Sequence, residues 1–74
     1  MLDVVTMKEI DAIFEVTDAL GVHREALVIP LGTATPGRVR RLPSGKLEIT
    51  VEAQRPFQEW LAELPRLIAA AQGA

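Results

Sequence analysis

Residues 38–52, RVRRLPSGKLEITVE, decide the fold of this chain because they predict a β-hairpin. The last six of them, LEITVE, alternate apolar and polar side chains, which is typical of a strand with one buried face. The Pro-Ser-Gly sequence before them indicates a turn. We therefore expect a short first strand, a turn and a longer second strand.

The register of this hairpin stays open at the level of sequence. A two-residue turn places Leu42 on the apolar face, but it also places Arg38 and Arg40 there. A shift by one residue puts Val39 on the apolar face and takes Leu42 off it. A β-bulge near Arg40 and Arg41 would satisfy both requirements and would splay two arginines at one spot on the surface.

A helix is predicted on each side of the strand region. Residues 7–20 carry apolar side chains at helical spacing, after a capping-box pattern formed by Thr6 and Glu9. Pro56 fits the first turn of the second helix, and Trp60 is expected either in the core or at an interface. Pro65 lies inside this helix, so we expect a kink or a break there.

The chain between the first helix and the hairpin gives conflicting signals. Residues 27–31, LVIPL, predict a strand buried on both faces, but Pro30 belongs on an edge strand or at a bulge. Either another subunit covers an edge strand here, or the strand ends at Ile29. We expect residues 32–37 to be a plain loop, and residues 2–5 to join a sheet edge or to lead into the helix.

The element order α-β-β-β-α predicts an α+β fold, in which two helices pack on a three-stranded antiparallel sheet. We expect residues 1–74 to form a single small domain. The predicted core consists of Ile10, Ile13, Phe14, Leu20, Leu27, Ile29, Leu47, Ile49, Val51, Phe57, Leu61, Leu64 and Ile68.

The composition excludes several classes of site. The chain has no cysteine, which excludes disulfides and thiolate metal sites. Its net charge of −2 does not favour general binding to phosphate backbones. No apolar run approaches the ~20 residues of a membrane span, and the acidic start does not resemble a signal peptide. We therefore expect a cytoplasmic protein without a membrane segment, and the preference for arginine over lysine hints at a bacterial source.

Positive charge is concentrated in the hairpin, where Arg38, Arg40, Arg41 and Lys46 lie without an intervening acid. Arginine is suited to bidentate recognition of a carboxylate or a phosphate. These four residues are the candidate partner-binding residues, although a local pair such as Arg41 with Glu48 would neutralise part of the charge.

No catalytic residue, metal ligand or cofactor site is predicted. His23 is the only histidine, and no second histidine or CxxC pattern accompanies it. A pocket that holds His23 with two carboxylates would revive the hypothesis of an enzyme. We expect a non-enzymatic protein-interaction or homodimerisation module, and the alternative is a nucleic-acid-binding module that uses the basic hairpin.

Overall fold

The computed structural model describes residues 4–73. Its two helices and its four-stranded sheet confirm the α+β class. No helix within this range is long and apolar enough to cross a membrane. The elements are α1 (Met7–Ala19), a 3-10 turn (Arg24–Ala26), β1 (Leu27–Val28), β2 (Thr33–Ala34), β3 (Arg38–Arg41), β4 (Leu47–Glu52) and α2 (Phe57–Gln72).

β4 is the central strand, since each of the other three strands pairs with it. β1 runs parallel to β4 with Leu27 beside Leu47, and β2 runs parallel to it with Thr33 beside Val51. β3 runs antiparallel to β4 and forms the predicted hairpin. The prediction of a three-stranded antiparallel sheet is wrong, because the sheet has four strands and two of them are parallel to the central one.

Residues 27–34 run in one direction along β4, which is why the antiparallel prediction fails. β1 and β2 both lie in this stretch, so the chain does not reverse at Gly32 as a plain loop would. Pro30, which has no amide donor, lies where pairing with β4 is interrupted. The strand predicted for residues 27–31 is only two residues long, and Leu31 is 61% exposed rather than covered on both faces.

The N-terminal segment joins this region through Val4, which forms an antiparallel bridge with Gly32. The amide of Val5 donates to the carbonyl of Leu31 over 2.9 Å. These contacts agree with the sheet-edge alternative, although the first three residues of the chain lie outside the described range. Val5 is also buried, so it belongs to the core, although it was not among the predicted core residues.

β3 pairs with β4 without interruption, so the predicted bulge near Arg40 and Arg41 is wrong. Val39 lies opposite Ile49, which is the register shifted by one residue, and Leu42 lies directly before the turn instead of on the apolar face. Because side chains alternate along a strand, the two adjacent arginines point to opposite faces rather than to one spot.

α1 begins at the predicted residue and ends one residue early. The Glu9 carboxylate accepts a hydrogen bond from the Thr6 amide over 2.8 Å, which satisfies one free amide of the first turn. Gly21 follows the helix with a φ of +75°, a conformation that glycine adopts without strain. Leu20 is 46% exposed in the turn after the helix, so its assignment to the core is wrong.

α2 runs unbroken through Pro65, so the predicted break does not occur, and the alternative of a kink stays a prediction. Pro65 lacks the amide that would bond to the carbonyl of Leu61. The helix nevertheless packs across β3 and β4. Its buried face carries Trp60, Leu64 and Ile68, and this packing outweighs one missing hydrogen bond.

The core lies where the apolar face of the sheet meets the helices. Its buried apolar residues are Val5, Ile13, Leu47, Ile49, Val51, Trp60, Leu64, Ile68 and Ala71. Other predicted core residues pack against these and stay partly exposed: Ile10, Leu27, Ile29, Phe57 and Leu61. Phe14 is half-buried.

Glu52, the last residue of β4, is a buried carboxylate with 2% of its surface exposed. The Gly37 amide donates to it over 2.9 Å and the Gln54 amide over 3.0 Å. These two donors, in that order, lower the pKa of Glu52, and the Arg55 guanidinium 3.8 Å away acts in the same direction. The carboxylate therefore ties the segment that enters β3 to the end of β4.

We expect Glu52→Gln to destabilise the protein, and to do so more strongly at neutral pH than at acidic pH. The Gly37 and Gln54 amides donate to different oxygens of the Glu52 carboxylate, and in glutamine an NH2 group, which is a donor, replaces one of these oxygens. Because folding lowers the pKa of Glu52, its stabilisation is present above the ordinary carboxyl pKa and is lost as pH falls through the folded pKa. Urea unfolding should show a lower midpoint for the variant at neutral pH and a smaller difference near about pH 2.

Glu59→Gln is the control for this measurement, because Glu59 is exposed on α2 and has no ion pair within residues 4–73. Its urea midpoint should stay close to that of the wild type at both pH values. An equal loss for the two variants, or a Glu52→Gln effect that does not depend on pH, would contradict the role given to the buried carboxylate.

Candidate functional site

The turn of the hairpin consists of Pro43, Ser44 and Gly45. The Leu42 amide donates to the carbonyl of Lys46 over 2.8 Å, and the Gly45 amide donates to the carbonyl of Leu42 over 2.8 Å. Gly45 has a φ of +91°, which is the conformation that this type of three-residue loop requires at its last position. The turn therefore contains the extra residue that sequence reasoning had assigned to a bulge.

The register divides the arginines between the two faces of the hairpin. Arg38 and Arg40 lie opposite Thr50 and Glu48, on the face that points away from the buried Ile49. Arg41 lies on the same side as Val39, but it is exposed at the end of the strand. The structure thus keeps the four candidate residues near one another without collecting them into one basic face.

Arg40 is engaged inside the domain. Its Nε atom donates to the Glu48 carboxylate over 2.7 Å across the hairpin, and Glu48 is the less exposed partner. The suggested pair of Arg41 with Glu48 is wrong, because the observed register puts Arg40 opposite Glu48 and turns Arg41 to the other face. An exposed pair of this kind contributes little to stability, but it occupies one of the four candidate side chains.

Arg38, Arg41 and Lys46, which we call the hairpin cations, have no ion pair within residues 4–73. All three are exposed. Of the eight lysine and arginine residues, the only other one without an ion pair in the described range is Lys8 on α1. Unpaired positive charge is therefore concentrated on the hairpin, in a chain whose net charge is −2.

β3 also has a free edge. It pairs with β4 alone among the described strands, and the Leu42–Lys46 bond fixes which of its residues bond to β4. Hydrogen-bonded and non-hydrogen-bonded pairs alternate in an antiparallel ladder, so Arg38 and Arg40 bond to β4, while Val39 and Arg41 direct their amides and carbonyls away from it. These outward groups have no acceptor or donor within residues 4–73.

No relative supplies a function for this surface. Comparisons of the chain with protein-family models, with curated proteins and with solved structures found no match. The function of the hairpin must therefore be inferred from its own geometry and charge.

The structure places His23 in a shallow groove of about 440 Å³ that Asp18 and Glu25 also line. His23 is exposed, and Arg24 forms a 2.8 Å ion pair with Asp18. The hydrogen bond from Arg24 lowers the pKa of Asp18, which makes this carboxylate a weaker base. The groove brings a histidine and two carboxylates together, as an enzyme would require, but one of the carboxylates is already neutralised.

The described residues also include no cluster of three or more histidine, cysteine, aspartate or glutamate side chains that could hold a metal ion. Acid–base catalysis needs groups whose surroundings separate their pKa values, usually by burial. His23 and both carboxylates of the groove are exposed, and Asp18 is held in the ion pair with Arg24. The hairpin remains the candidate site.

Sequence reasoning missed two features of this site. It did not identify β3 as a free edge, because it predicted antiparallel pairing for the strand at residues 27–31 and a loop where β2 lies parallel to β4. It also interpreted Gly37 as part of a plain turn, whereas an added Cβ at this position would lie 2.6 Å from the Glu52 amide nitrogen. The Thr-Pro-Gly sequence at residues 35–37 was the available signal for a constrained entry into β3.

Proposed function

We propose that this chain is a non-enzymatic protein-interaction module that docks on another protein through its hairpin. The observation that supports this most directly is the concentration of unpaired positive charge at Arg38, Arg41 and Lys46 beside a free strand edge. Elsewhere in the described range the arginines are used in ion pairs within the domain, as in the network that joins Arg55 and Arg66 to Glu63.

A nucleic-acid-binding module is the second candidate, and the same hairpin cations favour it. A basic ribbon that enters a DNA groove needs cationic side chains along one face. Among the described residues, Arg38 is the only free cation on the outward face of β3, since Arg40 is bound to Glu48. The aromatic rings of Phe57 and Trp60 pack against each other on α2, away from the hairpin face that a base would have to stack on.

Homodimerisation is the other form that a protein-interaction module can take. The apolar strand predicted at residues 27–31 now gives less support to a dimer. β1 is short, and residues 27–30 are already half-buried within one chain. The large apolar side chains that stay exposed in the described range are Val4, Met7, Leu20 and Leu31. Exposed apolar side chains are common on monomeric proteins, so these four support a dimer less strongly than the hairpin supports docking.

The proposal is tested by crosslinking at the hairpin in cells of the source organism. A photoreactive amino acid replaces Lys46 in one variant of the full chain and Lys8 in another. We expect a protein crosslinked from position 46 and not from position 8. That protein is identified by mass spectrometry and purified, and its affinity for the full chain is then measured.

Reversing two of the hairpin cations, Arg38→Glu with Arg41→Glu, should weaken this affinity about tenfold or more, because attraction is replaced by like-charge repulsion. The control variant Lys8→Glu makes the same kind of change away from the hairpin and should leave the affinity within about twofold of the wild type. Crosslinks only to nucleic acid, only to a second copy of the chain, or equally from both positions would contradict docking through the hairpin.

A further inference from the structure

We propose that the hairpin binds its partner by strand addition, in which an acidic extended segment of another protein pairs with the free edge of β3. This inference rests on the proposed function and specifies the chemistry of the partner. Two observations support it together: the outward backbone groups of Val39 and Arg41, and the hairpin cations beside them.

The backbone of β3 can take one more strand. Val39 and Arg41 each present an amide donor and a carbonyl acceptor away from β4, and these groups lie two residues apart on the same edge. An incoming strand offers donors and acceptors at the same spacing, so it can pair with both residues. Phosphate oxygens accept hydrogen bonds and do not donate them, so contacts with the phosphates of a nucleic acid would match the two amides and not the two carbonyls.

The side chains of β3 specify what the incoming strand should carry. If the incoming strand runs antiparallel to β3, its successive residues lie opposite Arg41, Arg40, Val39 and Arg38. Acidic residues fit opposite Arg38 and Arg41, and a third fits opposite Arg40, whose bond to Glu48 uses only its Nε atom. A β-branched apolar residue fits opposite Val39, which already packs against the core. The preferred core sequence of the partner is therefore acidic, acidic, apolar and acidic, as in Glu-Glu-Val-Glu.

A second copy of this chain does not fit the edge. Antiparallel pairing of β3 with another β3 would place arginines of the two copies against one another, which is unfavourable. The acidic strand of this chain is β4, and it pairs on both sides, since β1 and β3 both bond to Leu47 and Glu48. The acids of α1 belong to a helix, whose backbone groups are already bonded. Within the described range, no segment of a second copy can supply the acidic strand.

The test uses two labelled peptides of about ten residues, one with the core Glu-Glu-Val-Glu and one with the core Lys-Lys-Val-Lys. Fluorescence anisotropy measures their binding to the full chain at low and high salt. We expect the acidic peptide to bind and to bind less tightly as salt rises. The lysine peptide should not bind.

Amide hydrogen exchange, measured by NMR on the uniformly labelled protein, tests the mode of binding directly. The amides of Val39 and Arg41 should exchange roughly tenfold or more slowly when the acidic peptide is bound, because they gain acceptors. The Arg40 amide already bonds to β4 and serves as an internal reference that should change little.

A matched pair of variants at Arg41 separates the contribution of the backbone amide to peptide binding from the contribution of the side-chain charge. Arg41→Gln removes the guanidinium and keeps the outward amide, and it should weaken binding about threefold. Arg41→Pro removes both, and it should weaken binding by a further factor of about five, because one hydrogen bond is lost and proline blocks strand pairing at that residue. Proline is tolerated on an edge strand, and the fluorescence of Trp60 confirms that the variant is folded.

The outcomes distinguish this inference from the function on which it rests. Binding without protection of Val39 and Arg41, with equal affinities for the two Arg41 variants, would overturn strand addition and leave docking through the hairpin intact. Equal binding of the lysine peptide, or no binding of the acidic one, would also overturn it. If the same amides are protected without peptide at high protein concentration, a second copy of the chain pairs with β3, and the acidic partner is ruled out. Docking itself is tested separately, by the crosslinking and charge-reversal experiments with the partner protein.

Discussion

Gly37→Ala will lower the free energy of unfolding by about 2–3 kcal/mol, at the upper end of what overpacking usually costs. A Cβ at this position would lie 2.6 Å from the Glu52 amide nitrogen, 2.8 Å from the Glu52 Cα and 2.8 Å from Nε1 of Trp60. Two of these atoms belong to the backbone of the central strand, and the third to a fully buried ring. None of them is the flexible end of a side chain, so the contact cannot be relieved cheaply.

The measurement is urea unfolding followed by the fluorescence of Trp60, which is the only tryptophan of the chain. Gly32→Ala is the matched control, because a Cβ there would have no heavy atom within 4 Å. The control should be neutral or slightly stabilising, by up to about 1 kcal/mol, through the lower entropy of its unfolded state. Equal stabilities for the two variants would contradict the close approach of Gly37 to β4.

Trp60→Ala should have the largest effect, with a loss of about 3–5 kcal/mol. Trp60 has no exposed surface, and its ring lies between α2 and the end of β4, beside Gly37. A domain of 74 residues has a free energy of unfolding of about 4–11 kcal/mol at typical values per residue. The cavity left by the indole would therefore remove a large share of the stability and lower the urea midpoint and the melting temperature clearly below those of the wild type.

Far-UV circular dichroism follows this variant during urea and thermal unfolding, because the substitution removes the fluorescent residue. Trp60→Phe is the conservative comparison. It keeps most of the ring and removes an indole N–H that has no acceptor within residues 4–73, so its loss should be clearly smaller. A Trp60→Ala protein within about 1 kcal/mol of the wild type would show that α2 is not held to the sheet through this side chain.

Local patterns predicted the parts of this fold that depend on neighbouring residues. The capping residues Thr6 and Glu9, the helical spacing of α1 and the alternation in β4 each act within a few positions of the chain. They gave the start of α1, the strand β4 and the hairpin turn. The same patterns identified Arg38 and Lys46 as candidate site residues, since charge is read directly from the sequence.

Predictions failed where a distant partner decides the outcome. Pro65 breaks a helix on local grounds, but α2 continues because Leu64 and Ile68 are buried against the sheet. Whether β1 and β2 are parallel or antiparallel depends on the strand with which they pair, and no residue in either strand determines that pairing locally. The register of the hairpin depended on whether Leu42 or Val39 would face the core, and packing against α2 favours Val39.

The sequence by itself determined the α+β class, the two helices, the hairpin and the concentration of positive charge on it, because propensity, spacing and charge are local properties. Only the tertiary structure decided that β4 is central, that Glu52 is buried against Gly37, and that β3 has a free edge. Those features arise from contacts between segments far apart in the chain. An alternating pattern specifies one face of a strand, but it does not specify which strand will lie along each edge.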